Sequence, residues 1–171
     1  NLLVLSDDDP DPWPSFEGVI VDASDVDWYT YLGTDDLGTW VDPEVAFAPE
    51  STDLEICMYF WCTDAAVWAP PEIGAGGAGG GGPGHSCPAG TEADVLDLSA
   101  VELGGVFMGD APGCCTTPGT GAFHLGETLF TTYWTPFGCS GLTDDMKVFV
   151  RVRAHHGDAP DCVPYAVDYH F

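Results

Sequence analysis

The sequence predicts an all-β fold, a two-sheet antiparallel β-sandwich of jelly-roll type with about eight strands. Three observations carry this. Apolar residues come in short runs rich in aromatic and β-branched side chains, each bounded by Gly, Pro, Asp or Ser. Two of the runs alternate with the two-residue period of a strand. No apolar 3.6-residue period is sustained for three turns anywhere in the 171 residues. With 45% hydrophobic and 12% aromatic residues, the chain has enough apolar surface to offset the entropy of ordering one domain.

The first element is an arm. Leu2, Leu3, Val4 and Leu5 form a short apolar run, followed by Ser6-Asp7-Asp8-Asp9-Pro10-Asp11-Pro12-Trp13-Pro14. Three prolines and four aspartates continue neither a helix nor a central strand, so residues 1–15 read as a strand on an extended, charge-stretched tether. The sandwich domain is expected over 16–171. Strands are expected at Phe16 to Val21, Trp28 to Leu32, Trp40 to Phe47 and Leu54 to Trp61. In the last of these, Leu54, Ile56, Met58 and Phe60 alternate with Glu55, Cys57, Tyr59 and Trp61, which gives the strand two differently used faces.

Residues 63–144 read as a long insert. Ile73 to Gly84 is a glycine tract with little side chain to pack, a flexible surface excursion rather than a phosphate loop, since no P-loop Lys or Ser/Thr follows it. Weaker strand signals lie at Val95 to Val106, Phe123 to Leu125 and Leu129 to Trp134. Regularity returns at Met146 to Ala154, where Val148, Val150 and Val152 share one face and Lys147, Phe149, Arg151 and Arg153 the other. A last strand is expected from Tyr165 to Phe171.

Charge narrows the function. There are 28 acidic residues against 3 basic ones, a formal net charge of −25. Nucleic acid is excluded as a partner, because phosphate binding needs clustered Lys and Arg. No apolar stretch approaches 18 residues, and anionic lipid repels such a surface, so no membrane insertion is expected. All three cations, Lys147, Arg151 and Arg153, fall on one face of one strand. That face has two readings: internal pairing with a neighbouring acidic strand, or reception of the Asp7 to Asp11 tether of another subunit.

Seven cysteines, Cys57, Cys62, Cys87, Cys114, Cys115, Cys139 and Cys162, are too many for a reducing compartment. Their spacing lacks the repeated C-x2-C of a zinc site, so disulfides and a secreted or cell-surface location are expected. Six cysteines allow fifteen pairings, and the odd one is left free, buried or bridging two chains. Cys87, Cys114 and Cys115 are placed to staple the insert to the body. The absence of a basic region followed by an apolar run at Asn1 is what a mature chain without its signal peptide shows.

The order of the blocks Asp25-Val26-Asp27-Trp28-Tyr29-Thr30-Tyr31, Trp40-Val41 through Phe47, Leu54 to Tyr59, Val148 to Val152 and Tyr165-Ala166-Val167-Asp168-Tyr169 resembles the bacterial pre-peptidase C-terminal domain. That family is a secreted β-sandwich appended to extracellular proteases and other surface proteins. The resemblance spans most of residues 16–171; the seven cysteines and the insert depart from the pattern. It implies a non-catalytic module that binds, spaces or assembles, and relatives of the fold hold calcium near the N-terminal linker.

No H-E-x-x-H, G-x-S-x-G or strand-borne G-x-G-x-x-G is present, and the serine of Gly138-Cys139-Ser140-Gly141 fails the elbow spacing, so no enzymatic activity is expected. His155-His156 reads as a solvated turn. Calcium suits the abundant carboxylates. Asp7, Asp9 and Asp11 copy the first ligand positions of an EF-hand loop, but Pro12 stands where Gly is required. Asp22, Asp25 and Asp27 form a second cluster, for which calcium binding and simple solvation are equally open readings. The arm has two readings of equal weight. It folds back as an edge strand of its own domain, or it adds in trans to the exposed sheet edge of another copy. The expected function is a self-assembling surface or filament subunit of a bacterium. The alternative is an accessory module of a secreted hydrolase, holding an extracellular protein or polysaccharide near that enzyme through exposed aromatics such as Trp13, Trp61, Trp68 or Trp134.

Overall fold

The computed structural model describes residues 3–6, 14–34, 44–49, 53–62, 87, 90–98, 110–118, 123–125, 146–155 and 162–170. These form ten strands: β1 (Leu3–Ser6), β2 (Ser15–Ile20), β3 (Val26–Thr34), β4 (Glu44–Pro49), β5 (Leu54–Cys62), β6 (Thr91–Asp97), β7 (Asp110–Thr116), β8 (Phe123–Leu125), β9 (Met146–Ala154) and β10 (Val163–His170). The larger sheet runs β1-β3-β9-β5-β7-β6 and the smaller β2-β10-β4-β8. Five antiparallel strands of the first and three of the second are the eight main strands of the sandwich. The three-residue β8 extends the smaller sheet, and β1 joins the larger one in parallel with β3.

The alternation read from β5 and β9 is the one that builds the core. Leu54, Ile56, Met58, Phe60, Val148, Val150 and Val152 face the smaller sheet and meet Ile20, Val45, Phe47, Val163, Tyr165, Val167 and Tyr169. The opposite face of the larger sheet is buried too, around Cys57, Tyr59, Leu96, Leu98, Ala111, Cys115 and Phe149. β5 is therefore buried on both faces, which its near-continuous run of large apolar residues permits.

Of the strand expected at Trp40 to Phe47, β4 covers the described part from Glu44, residues 40–43 lying outside the described residues, and the one expected from Val95 begins at Thr91. The stretch 63–144 is not simply an excursion, because β6, β7 and β8 lie within it and contribute to both sheets. The expected strand at Leu129 to Trp134 and the glycine tract lie outside the described residues.

Strand β7, Asp110-Ala-Pro-Gly-Cys-Cys-Thr116, had no strand signal at all. Successive side chains of a strand point to opposite faces, so Cys114 enters the inter-sheet core and Cys115 the outer cluster. Each is in a disulfide: Cys87–Cys114 on the inner side and Cys57–Cys115 on the outer. Cys57 and Cys115 are direct cross-strand partners, with Cα atoms 4.0 Å apart. The ladder continues one step further through a side chain, the buried Thr116 Oγ1 accepting from Ile56 N–H at 3.0 Å.

Two tyrosines reach their partners by lying over a cross-strand glycine. Tyr59 is paired with Gly113, whose missing side chain leaves room for the ring, and its hydroxyl reaches Asp94 at 2.6 Å. Tyr165 is paired with Gly18 in the smaller sheet. Its hydroxyl crosses the core to donate to Asp27 Oδ2 at 2.5 Å and to accept from Tyr29 at 2.7 Å. Tyr29 is itself stacked on Phe16 with centroids 3.6 Å apart. This chain of hydroxyls and a carboxylate ties β10 of one sheet to β3 of the other.

A Cβ at Gly113 would collide with the Met58 carbonyl oxygen, which belongs to the backbone and has nowhere to go. Gly113→Ala is expected to lower stability by about 2 kcal/mol. Gly18→Ala meets only the movable Tyr165 ring and should cost less, while breaking the Tyr165–Asp27 bond. Urea unfolding midpoints of the two variants decide this; equal losses would contradict it.

Candidate functional site

The outer face of the larger sheet gathers the chain's cations. Across the strands β3, β9, β5 and β7, one row reads Trp28, Arg151, Cys57, Cys115. The row beside it places Arg153 opposite Glu55. Glu55 is buried, and a buried carboxylate needs paired charge and hydrogen bonds. It receives both from β9. Arg151 Nη2 donates to Oε1 at 2.9 Å, and Arg153 donates through Nε to Oε1 at 2.7 Å and through Nη2 to Oε2 at 3.2 Å. The His155 ring closes the group, with Nδ1 3.7 Å from Oε2.

Arg151 is the hub. The same Nη2 lies 3.0 Å from Asp94 Oδ2 on β6 and 3.0 Å from Cys57 Sγ. Its guanidinium lies beside the rings of Trp28 and Tyr59, 5.8 and 5.5 Å from their centroids, at the distance of a cation–π contact. Glu55 Oε1 approaches Cys57 Sγ at 3.1 Å, and because a disulfide sulfur carries no proton this is a contact rather than a hydrogen bond.

Burial and these bonds shift four of the groups on this face. Burial raises the Asp94 carboxyl, but bonds from the Tyr59 hydroxyl and Val95 N–H, together with Arg151, outweigh it and hold Asp94 below its ordinary value. Burial pushes the Tyr59 hydroxyl far up, so it remains a donor. The hydrogen bond that Arg153 donates to Glu55 raises its own pKa further. Lys147, buried beside the Phe149 ring at 5.2 Å, is lowered by burial.

Of the two readings of the cationic face, internal pairing is the one present in this chain. Arg151 and Arg153 meet Glu55 and Asp94 of their own sheet. Lys147 is on the same strand and buried. His155, expected in a solvated turn, has a side chain only 9% exposed against Glu55, and its backbone N–H is bonded to Asp53 O at 2.6 Å. His156 lies outside the described residues.

The three aspartates of the second cluster each have a local task. Asp22 Oδ1 accepts from Ser24 N–H at 2.7 Å and from Ser24 Oγ at 2.6 Å, bonds that lower its pKa. Asp25 Oδ2 accepts from Val21 N–H at 2.9 Å. Asp27 accepts from Tyr165. Their oxygens do not converge within 4.8 Å as a trio; among the described residues only Glu55, Cys57 and Cys115 do so. Asp7, Asp9, Asp11 and Leu2, like Cys139 and the Cys62 side chain, lie outside the described residues. Leu3, Val4 and Leu5 form β1. Cys162 is exposed, in a left-handed backbone conformation with φ 59°, and is the free cysteine among the described residues. Trp61 packs against the outer cluster, while Trp13, Trp68 and Trp134 lie outside the described residues.

Sequence reasoning missed Glu55, Asp94 and Tyr59. A signal existed for Glu55: it is the one acid in the otherwise uncharged strand Leu54–Cys62, in a chain whose cations share a single strand. Nothing marked Asp94 among 28 acids.

No protein-family model, curated protein or solved structure matches this chain. The two disulfides are those of an oxidising environment. Among the described residues no helix is long and apolar enough to cross a membrane.

Removing the Glu55 charge leaves two guanidinium groups facing an amide. Glu55→Gln is expected to cost on the order of 3 kcal/mol in urea unfolding. Asp94 supplies a pH dependence of definite sign. Its folded pKa lies below the ordinary 3.8, so its contribution is complete above that value and is lost as pH falls through the lower folded one. Asp94→Asn should therefore flatten the stability profile below about pH 4 and leave a constant deficit above it; a deficit that grows toward acid would contradict the assignment.

Proposed function

We propose that the chain is a non-catalytic, secreted structural module that assembles with copies of itself by passing its N-terminal strand to a neighbour. The observation that carries this is the placement of β1. It is a four-residue strand that, among the described strands, stands at the edge of the larger sheet and pairs with β3 alone, in the register Leu3↔Tyr31, Val4↔Leu32, Leu5↔Gly33 and Ser6↔Thr34. The next strand, β2, belongs to the other sheet. β1 is therefore a separate piece joined to the body through Asp7 to Pro14, eight residues that span up to about 28 Å when extended.

Edge addition uses backbone groups, and identical backbone groups are offered by every copy. Exchange of β1 between copies keeps the same bonds and converts a monomer contact into a link. Charge favours the same reading. A surface carrying a net −25 repels a flat face-to-face contact, whereas strand addition confines the contact to a narrow edge. Calcium bound by the acidic tether would relieve that repulsion and belongs to this proposal. So does the resemblance to the pre-peptidase C-terminal domain, which rests on its sequence blocks.

Deleting residues 1–14 should leave a folded monomer and abolish multimers in sedimentation velocity. A Val4→Cys, Leu32→Cys double variant should then trap links between chains on oxidation, seen as a ladder without reductant. Unchanged multimers after truncation, or cross-links confined to single chains at high concentration, would overturn the proposal.

A further inference from the structure

Glu55, Cys57 and Cys115 are all buried and bring a carboxylate oxygen and two sulfurs within 4.8 Å of one another. In the oxidised chain the sulfurs are bonded to each other. A newly made chain carries thiols, and the same three atoms are then two thiolates and a carboxylate, a donor set that suits zinc and its thiophilic neighbours. We propose that, before oxidation, this trio is a site for a thiophilic divalent cation and that formation of the Cys57–Cys115 disulfide expels it.

The backbone placement of the trio is set by the sheet as well as by the S–S bond. Cys57 and Cys115 are opposed by the β5–β7 ladder, which also pairs Met58 with Cys114 and Tyr59 with Gly113, and Glu55 lies two residues before Cys57 on the same face. Charge counting points the same way. In the oxidised chain Glu55 and Asp94 contribute two negative charges and Arg151 and Arg153 two positive ones, so the cluster is neutral. Two thiolates add two negative charges in a buried place, where uncompensated charge is costly. One divalent cation restores neutrality. Arg151 Nη2, 3.0 Å from Cys57 Sγ and 3.6 Å from Cys115 Sγ, favours the thiolate forms that a metal requires. Asp94 Oδ2, 3.4 Å from Cys115 Sγ, adds a further oxygen beside the trio.

The expulsion step balances with a disulfide-class oxidant. The metal-bound dithiolate, one oxidant disulfide and two protons give the Cys57–Cys115 disulfide, two thiols from the oxidant and the free cation. Two electrons pass from the protein sulfurs to the oxidant. The site also addresses the ambiguity created by adjacent cysteines. A cation that holds Cys115 against Cys57 leaves Cys114, which faces the opposite side, to meet Cys87.

The test uses the full chain, reduced with a phosphine under anaerobic conditions and titrated with Co2+ as a spectroscopic probe, with Zn2+ as competitor and far-UV circular dichroism as a check on the fold. One Co2+ per chain with a thiolate-to-metal charge-transfer band is expected, and none in the oxidised chain. Cys115→Ser and Cys57→Ser should each weaken binding at least about tenfold and diminish the band, whereas Cys87→Ser should keep both. A folded reduced chain without the band would overturn the proposal. So would an undiminished band in Cys115→Ser, equal binding by the oxidised chain, or a reduced chain that is unfolded with and without metal. The readout is independent of strand exchange.

Discussion

The structure depends on where its few positive charges are put. Against 28 carboxylates there are three cations, and all of them stand on β9, the strand between β3 and β5 in the larger sheet. This lets Glu55 be buried in the middle of the sheet, because Arg151 and Arg153 meet it there. It lets Asp94 on β6 be reached from β9 across two intervening strands. A buried charge with one missing partner is among the most costly defects a fold can carry, so the placement of β9, β5 and β6 in one sheet is fixed by electrostatics as well as by packing.

The second constraint acts on β7. Its sequence is poor in strand formers and contains Pro112 and Gly113, yet it lies inside the sheet. Covalent bonds on both of its faces, with sequence separations of 58 and 27, reduce the freedom of the unfolded chain and typically contribute about 2–4 kcal/mol each. Gly113 serves the same end by making room for Tyr59, whose hydroxyl then fastens Asp94. Disulfide, glycine, tyrosine and arginine thus form one connected group, and each explains the position of the next. Tyr165 over Gly18 repeats the device on the other sheet, where it joins the two layers.

The parts legible in the sequence were those governed by alternation. β5 and β9 carry long, strict two-residue patterns, and both occupy the places that the patterns imply, including the common face of Lys147, Arg151 and Arg153. The oxidising chemistry was legible from cysteine number, whereas the pairing was not, since adjacency of Cys114 and Cys115 reveals opposite directions only once the residues are known to be in a strand. β7 was illegible because its propensities oppose its state and tertiary bonds decide the outcome. Docking of β1 as an edge strand of its own domain was one of two open readings, and nothing in Leu2 to Leu5 announced that it would run parallel to β3. Glu55 and Asp94 escaped notice because an acid is uninformative in so acidic a chain until its exposure is known.

The central claim is that Arg151 and Glu55 act as one buried pair that organises the larger sheet. A double-mutant cycle with Glu55→Gln, Arg151→Met and the combined variant, read by urea unfolding, measures that coupling alone. The account predicts a coupling energy on the order of 2 kcal/mol, with the double variant more stable than the sum of the single losses implies. Losses that add to within about 0.3 kcal/mol would show that the two side chains do not act on one another, and would contradict it.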